Sequence, residues 1–201
     1  MIEQKLHNML SLIVCGCDER EIPFTAIGAM ALGTYGLPRF TADIDLLTGE
    51  DRRGPLLAML QELGFACFQE TGSFAQLDSE MGVLGKVDVM FVQTEAGREL
   101  LARRIRVSDD LIGSVPVIQP TDYIVLKLMA AANDPTRREH DEGDVIALLK
   151  HIRGKRLPKW FEPLRRDRLL EFGRKFGRED RIRKLLKENL DASPTKGTFF
   201  L

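Results

Sequence analysis

The chain is short of the residues that build small stapled folds. Of its 201 residues three are cysteine, three histidine, two tyrosine and one tryptophan. Cys15, Cys17 and Cys67 are odd in number, lack C-x-x-C spacing and have no histidine pair nearby, which excludes a disulfide framework and a zinc site as organising devices. Reduced thiols in a core or on a surface are the expectation. Long hydrophobic runs are missing too: none approaches the roughly 18 residues of a membrane span. The opening MIEQKLHNML has neither a basic n-region nor an unbroken apolar h-region. A soluble, cytoplasmic protein with no membrane partner is expected. Internal repeats and low-complexity tracts are also absent.

What is present suits a packed core. Hydrophobic residues make up 44% and charged residues 29% of the chain, which fits one α/β domain with a helical extension or two small domains. Charge is split along it. Residues 1–149 hold 13 lysines and arginines against 23 acids, a balance of −10, and residues 150–190 hold 15 against 6, a balance of +9. A basic C-terminal segment can track a phosphate backbone. RNA is therefore an expected partner of the C-terminal helices, with Arg165, Arg166 and Arg168 as contacts; a solvated helical face is the alternative.

Periodicity places the elements. Residues 2–15 space their apolar positions at three and four and predict a helix stopping near Gly16. Strands are expected at 24–28, 41–48, 65–70 and 85–93, with helices after the first, at 55–63 and over 94–105, and a short strand at 115–118. Helices and strands alternate, so an α+β mixed-sheet core is expected over residues 1–118. A helical region follows over 119–190. It opens at Pro120 with Thr121 or Asp122 as cap, and continues through helices at 139–152, 160–176 and 178–190; residues 191–201 read as a poorly ordered tail.

Within this frame, "TADIDLLT" poses a problem of charge. Side chains two apart on a strand share a face, so Asp43 and Asp45 project together while Ile44 and Leu46 turn to the core. Two unit charges about 4 Å apart repel by about 4 kcal/mol at an effective dielectric near 20. A divalent cation resolves that, and carboxylate oxygens are hard ligands suited to Mg²⁺ or Mn²⁺. Asp88, set between Val87 and Val89 in an apolar strand, is a third carboxylate where an ionised group needs a partner. Three aspartates on two adjacent strands can hold two cations roughly 3.5–4 Å apart, one activating a hydroxyl and one steadying a leaving phosphate. Upstream, Gly28 and Ala29 lie at a strand-to-helix turn whose backbone N–H groups can receive phosphate oxygens.

The stretch "IGAMALGTYGLPRFTADIDLL", with Gly28-Ala29 ending one strand, Asp43-x-Asp45 on the next and Asp88 further on, resembles the polymerase-β-like nucleotidyltransferase superfamily. Arg39-x-Thr41-x-Asp43-x-Asp45, then Lys127 in "VLKLMAA" and Asp141 and Asp144 in "REHDEGDVIALL", is similar to its AbiEii/AbiGii-like branch. The resemblance covers residues 22–150 and stops before the C-terminal helices. It implies a nucleoside triphosphate and Mg²⁺ (or Mn²⁺), with a nucleoside monophosphate moved to an acceptor hydroxyl of a tRNA, a protein or a small molecule. Asp43, Asp45 and Asp88 would be catalytic and metal-binding, and Gly28, Ala29, Arg39, Thr41, Lys127 and Asp144 would bind the nucleotide. A toxin role and an antitoxin partner are family implications. The chain departs from the pattern at Ala29, where a glycine or serine is usual, so only the N–H serves there. The alternatives are a nucleotide- or partner-binding module of the same fold that does not turn over, and a Mn²⁺-dependent glycosyltransferase using Asp-x-Asp, which usually needs a longer chain. Arg39 also reads as a plain surface arginine, Thr41 as a strand start, Asp141 and Asp144 as ion-pair partners of Lys127 or Arg138, and His140 and His151 as solvated groups without partner spacing.

Overall fold

A computed structural model describes residues 2–79, 85–109 and 113–191; the expected tail beyond Asp191 lies outside them. The chain divides into two compact units: one runs to Thr34 and resumes over Pro38–Gln119, and the other takes Tyr35–Leu37 and the chain from Pro120 onward.

The first unit is built on seven strands: β1 (Phe24–Ala26), β2 (Asp43–Gly49), β3 (Phe65–Glu70), β4 (Phe74–Ser79), β5 (Lys86–Val92), β6 (Ile105–Asp109) and β7 (Gly113–Val117), in the order β3-β4-β5-β2-β1-β7-β6. The sheet is mixed. β2 runs parallel to β5 and β1 to β7, while β1–β2, β3–β4, β4–β5 and β6–β7 are antiparallel. Its helices are α1 (Ile2–Glu19), α2 (Gly28–Thr34), α3 (Arg53–Glu62) and α4 (Glu95–Ala102). Ile44, Leu46, Val87 and Val89 are wholly buried on one face of β2 and β5, and Asp43, Asp45 and Asp88 are half-buried on the other. Each buried aliphatic side chain contributes about 1.5–3 kcal/mol. Four of them outweigh the repulsion of crowding carboxylates behind them.

Three expectations fail here for local reasons. Helix α1 runs through Gly16, because this glycine faces α3: a Cβ would lie 2.8 Å from Met59 Sδ. Strand β4 was not foreseen, although Thr71-Gly72-Ser73 between two short runs is a hairpin signal. The helix expected to Ile105 stops at Ala102, and Ile105 opens β6. A single arginine ties the β3–β4 turn to α3. Arg53 donates to Glu50, Glu70 and the carbonyls of Thr71 and Gly72 at 2.6–3.1 Å and lies 3.9 Å over the Phe91 ring. Those carboxylates hold its guanidinium above its ordinary value.

The second unit consists of helices α5 (Pro120–Asn133), α6 (Arg138–Arg153), α7 (Arg166–Lys175) and α8 (Glu179–Leu186), the last continuing as a π-turn over Lys187–Asp191. Pro120 is the first residue of α5, where its missing N–H costs nothing. Thr121 does not serve as a cap; its hydroxyl accepts from the Arg165 amide at 3.0 Å. The stretch before Arg166, expected to be helical, is not. Pro163 there has no amide to give to a helix.

Candidate active site

The acidic face is assembled by strand register. In the parallel pair β2–β5, Asp45 stands beside Asp88 and Asp43 beside Lys86. Parallel partners in register point the same way, and Asp43 is two residues from Asp45, so the three carboxylates share a face. The antiparallel pair β4–β5 extends both rows, putting Gln76 beside Asp88 and Asp78 beside Lys86. Gln76 uses this position: its Nε2 donates to both carboxylate oxygens of Asp88, at 3.2 and 3.3 Å. A neutral amide orients a carboxylate without cancelling its charge.

Gly28 closes the site from the side of β1. Its φ of +59° lies in the left-handed region, and a Cβ there would sit 1.9 Å from Asp45 Oδ2. Any side chain would displace the Asp45 carboxylate. The amide of Ile27 fixes the same strand from the backbone, donating to the Asp45 carbonyl at 2.9 Å. Ala29 is buried and presents no polar side-chain atom. Thr41 spends its hydroxyl on the start of β2, donating to the Asp43 carbonyl at 3.1 Å and accepting from the Asp43 amide at 3.4 Å. Arg39 is exposed just ahead of it.

The two remaining sequence candidates lie in the second unit. Lys127 Nζ is 2.8 Å from Asp141 Oδ1 and 2.8 Å from Asp144 Oδ2, with its side chain 11% exposed and that of Asp141 1% exposed. Tyr123 donates to Asp144 at 3.3 Å. His140, expected to lack a partner, stands 3.9 Å from Asp144, one helical turn away. The C-terminal arginines are also engaged: Arg165 with Asp167, Arg166 with Asp191 and Arg168 with Asp122. The bond from Arg165 holds Asp167 below the usual carboxylate range, and that from Arg166 does the same for Asp191.

Three residues of the acidic face escaped the sequence reading. Gln76 and Asp78 sit on the unexpected β4, and Lys86 falls inside the strand expected at 85–93 with no role assigned to it. The alternation of buried Ala75, Leu77 and Ser79 with half-buried Gln76 and Asp78 was the available signal. The donor chemistry of the face fits a hard divalent cation. Among the described residues no three acidic, cysteine or histidine side chains enclose a metal by themselves. Mg²⁺ does not require that, because it binds through one or two carboxylates and completes its shell with substrate phosphates and water.

No protein-family model and no curated protein matches the sequence. Solved structures do match. The chain is similar to the antibiotic-resistance factor ANT(2'')-Ia in solution, with 18% identity and a TM-score of 0.55 over 77% of this chain and 94% of that one. It is similar to the crystal structure of ANT(2'')-Ia in complex with adenylyl-2''-tobramycin, with 17% identity and a TM-score of 0.56 over 85% and 96%. A candidate nucleotidyltransferase of Thermotoga maritima aligns with 20% identity and a TM-score of 0.50 over 69% and 94%. At such identities the likeness is one of fold alone: the chain shares the mixed α/β fold of these structures.

Proposed function

We propose that the chain is a nucleotidyltransferase of the AbiEii/AbiGii-like branch, moving a nucleoside monophosphate from a nucleoside triphosphate to an acceptor hydroxyl. The observation that carries this is the register of Asp45 with Asp88, beside Asp43 on one face and against the left-handed turn at Gly28. Asp43, Asp45 and Asp88 would hold Mg²⁺ or Mn²⁺, which when bound neutralises charge on the reacting phosphate. The residues themselves do the positioning on which phosphoryl transfer chiefly depends. Backbone N–H groups at Gly28 and Ala29, with Arg39, would receive phosphate oxygens. Asp88, oriented by Gln76, would take the proton of the acceptor hydroxyl. The acceptor oxygen then bonds to the α-phosphorus as the bond to the β-phosphate oxygen breaks, and pyrophosphate leaves.

RNA is the acceptor best matched by the basic balance of residues 150–190, ahead of a protein or a small molecule. A toxin role in the cytoplasm with an antitoxin partner belongs to the same proposal; no described helix is long and apolar enough to cross a membrane. The resemblance gives Lys127 and Asp144 a nucleotide-binding role, whereas their pairing with each other supports a structural one. Buried Ala29 favours one second reading, a silent module that binds nucleotide without transfer. One assay separates the two: labelled triphosphates with Mg²⁺ and tRNA, protein or aminoglycoside acceptors. Transfer of label with pyrophosphate release, lost in Asp43→Asn and Asp45→Asn, supports the enzyme. Metal-dependent nucleotide affinity with no pyrophosphate from any acceptor supports the module.

A further inference from the structure

The positive charge of the second unit is not evenly available. On α8 and around the start of α7 it is matched: Arg165, Arg166 and Arg168 are paired as described, Arg181 pairs with Glu142, Arg183 with Glu179 and Lys184 with Glu188, whereas Arg174 and Lys175 at the end of α7 form no ion pair among the described residues. The stretch "KHIRGKRLPKWF", residues 150–161, differs. It holds five lysines and arginines and no acid. Lys155, Arg156 and Lys159 are exposed, and no ion pair among the described residues involves them.

The same stretch displays Trp160, 60% exposed, on a braced turn. The Phe161 amide donates to the Pro158 carbonyl at 3.2 Å, closing the turn. Phe161 itself is buried and meets Tyr35 edge-on with ring centroids 4.8 Å apart, and Tyr35 meets Tyr123 in the same manner at 5.7 Å. The neighbouring aromatic anchors the turn from beneath and leaves the indole outside. A lone exposed aromatic needs no explanation. One held on an anchored turn among three unmatched cations has the composition of a stacking platform for an unpaired base, with phosphate contacts beside it.

We propose that the turn over residues 154–160 docks single-stranded RNA, with a base stacked on Trp160 and phosphates on Lys155, Arg156 and Lys159. A duplex keeps its bases stacked inside and offers the indole no face. An acidic protein could meet the cations but would leave Trp160 without a stacked ring. The choice of RNA rests on the acceptor reading above; the docking chemistry does not.

Trp160 is the chain's only tryptophan and therefore reports its own occupancy. The full chain, without nucleotide or metal, is titrated with a 12-residue oligoadenylate RNA at several salt concentrations while intrinsic fluorescence is followed. Saturable quenching is expected, with log affinity falling against log salt at a slope of about −2 for three phosphate contacts. Polarisation of labelled RNA should show Trp160→Ala weakening binding about 10- to 100-fold and Trp160→Phe much less. Joint Lys155→Gln, Arg156→Gln and Lys159→Gln replacement should bring the slope towards zero. These side chains are exposed, so thermal unfolding should be unchanged, and that is measured alongside. Absence of saturable quenching overturns the proposal. So do equal quenching by polyglutamate and duplex binding that Trp160→Ala leaves intact. Because no triphosphate is present, failure here leaves nucleotidyl transfer standing, and RNA binding without pyrophosphate release leaves the docking site standing.

Discussion

Two sets of aspartates in this chain obey the same geometric rule and end in different chemistry. Asp43 and Asp45, two apart on a strand, and Asp141 and Asp144, three apart on a helix, each project to one face. The helical pair closes on Lys127 at 2.8 Å to each carboxylate, deep enough that Asp141 is 1% exposed. The strand pair is joined across β2–β5 by Asp88, stays half-buried, and meets the amide of Gln76 and the bare backbone of Gly28. Lys127 brings an opposite charge to the helical pair, whereas the Gln76 amide orients Asp88 and brings none of its own. Spacing reveals which carboxylates gather, and the partner reveals what they gather for.

The sharpest way to break this contrast is to remove charge from the strand set. Asp45→Asn should lower nucleotidyl transfer by about 10³-fold, the rate equivalent of a few kcal/mol of lost charge stabilisation, with the thermal midpoint nearly unchanged. Equal loss of folding would make this set structural as well. The mirror experiment is Lys127→Met, which strands two buried carboxylates. It should cost about 3–5 kcal/mol in denaturant unfolding. If the variant folds normally and only the Michaelis constant for triphosphate rises, Lys127 is a phosphate contact and the contrast fails.

Smaller effects sharpen the picture. Gln76→Leu should reduce turnover about 10- to 100-fold, as loss of a supporting hydrogen bond does at a metal site, and should alter the pH–rate profile, which mere loss of packing would not. The smallest effect belongs to the exposed ion pair of Arg166 with Asp191. Arg166 holds that carboxyl below its ordinary value. A depressed carboxylate adds stability that is complete above its unfolded value, near pH 4, and is lost as pH falls through the lower folded value. Thermal midpoints of Arg166→Gln and the parent chain should therefore differ slightly at neutral pH and converge in acid. A gap that widens in acid would contradict the sign.

Much of the strand set was legible because it depends on a period-two pattern and one register. Ile44 and Leu46 declared the core face of β2, and Val87 and Val89 that of β5, so the intervening aspartates had only one direction to point. The neighbours that complete the face were hidden, because β4 is short and its buried positions include Ala75 and Ser79, which carry little hydrophobic signal. Gly16 misled for a related reason. A glycine that reads as a stop is here a point of close approach to Met59. In the second unit the excess of lysine and arginine was visible, but the acids that match Arg166 and Arg168 are distant in sequence, and only the fold shows where that charge is spent.

The most direct test is an anomalous difference map from a crystal soaked with Mn²⁺ and a triphosphate. Metal density is expected within coordination distance of the carboxylates of Asp43, Asp45 and Asp88. Density settling instead between Asp141 and Asp144, with the strand face bare, would contradict it.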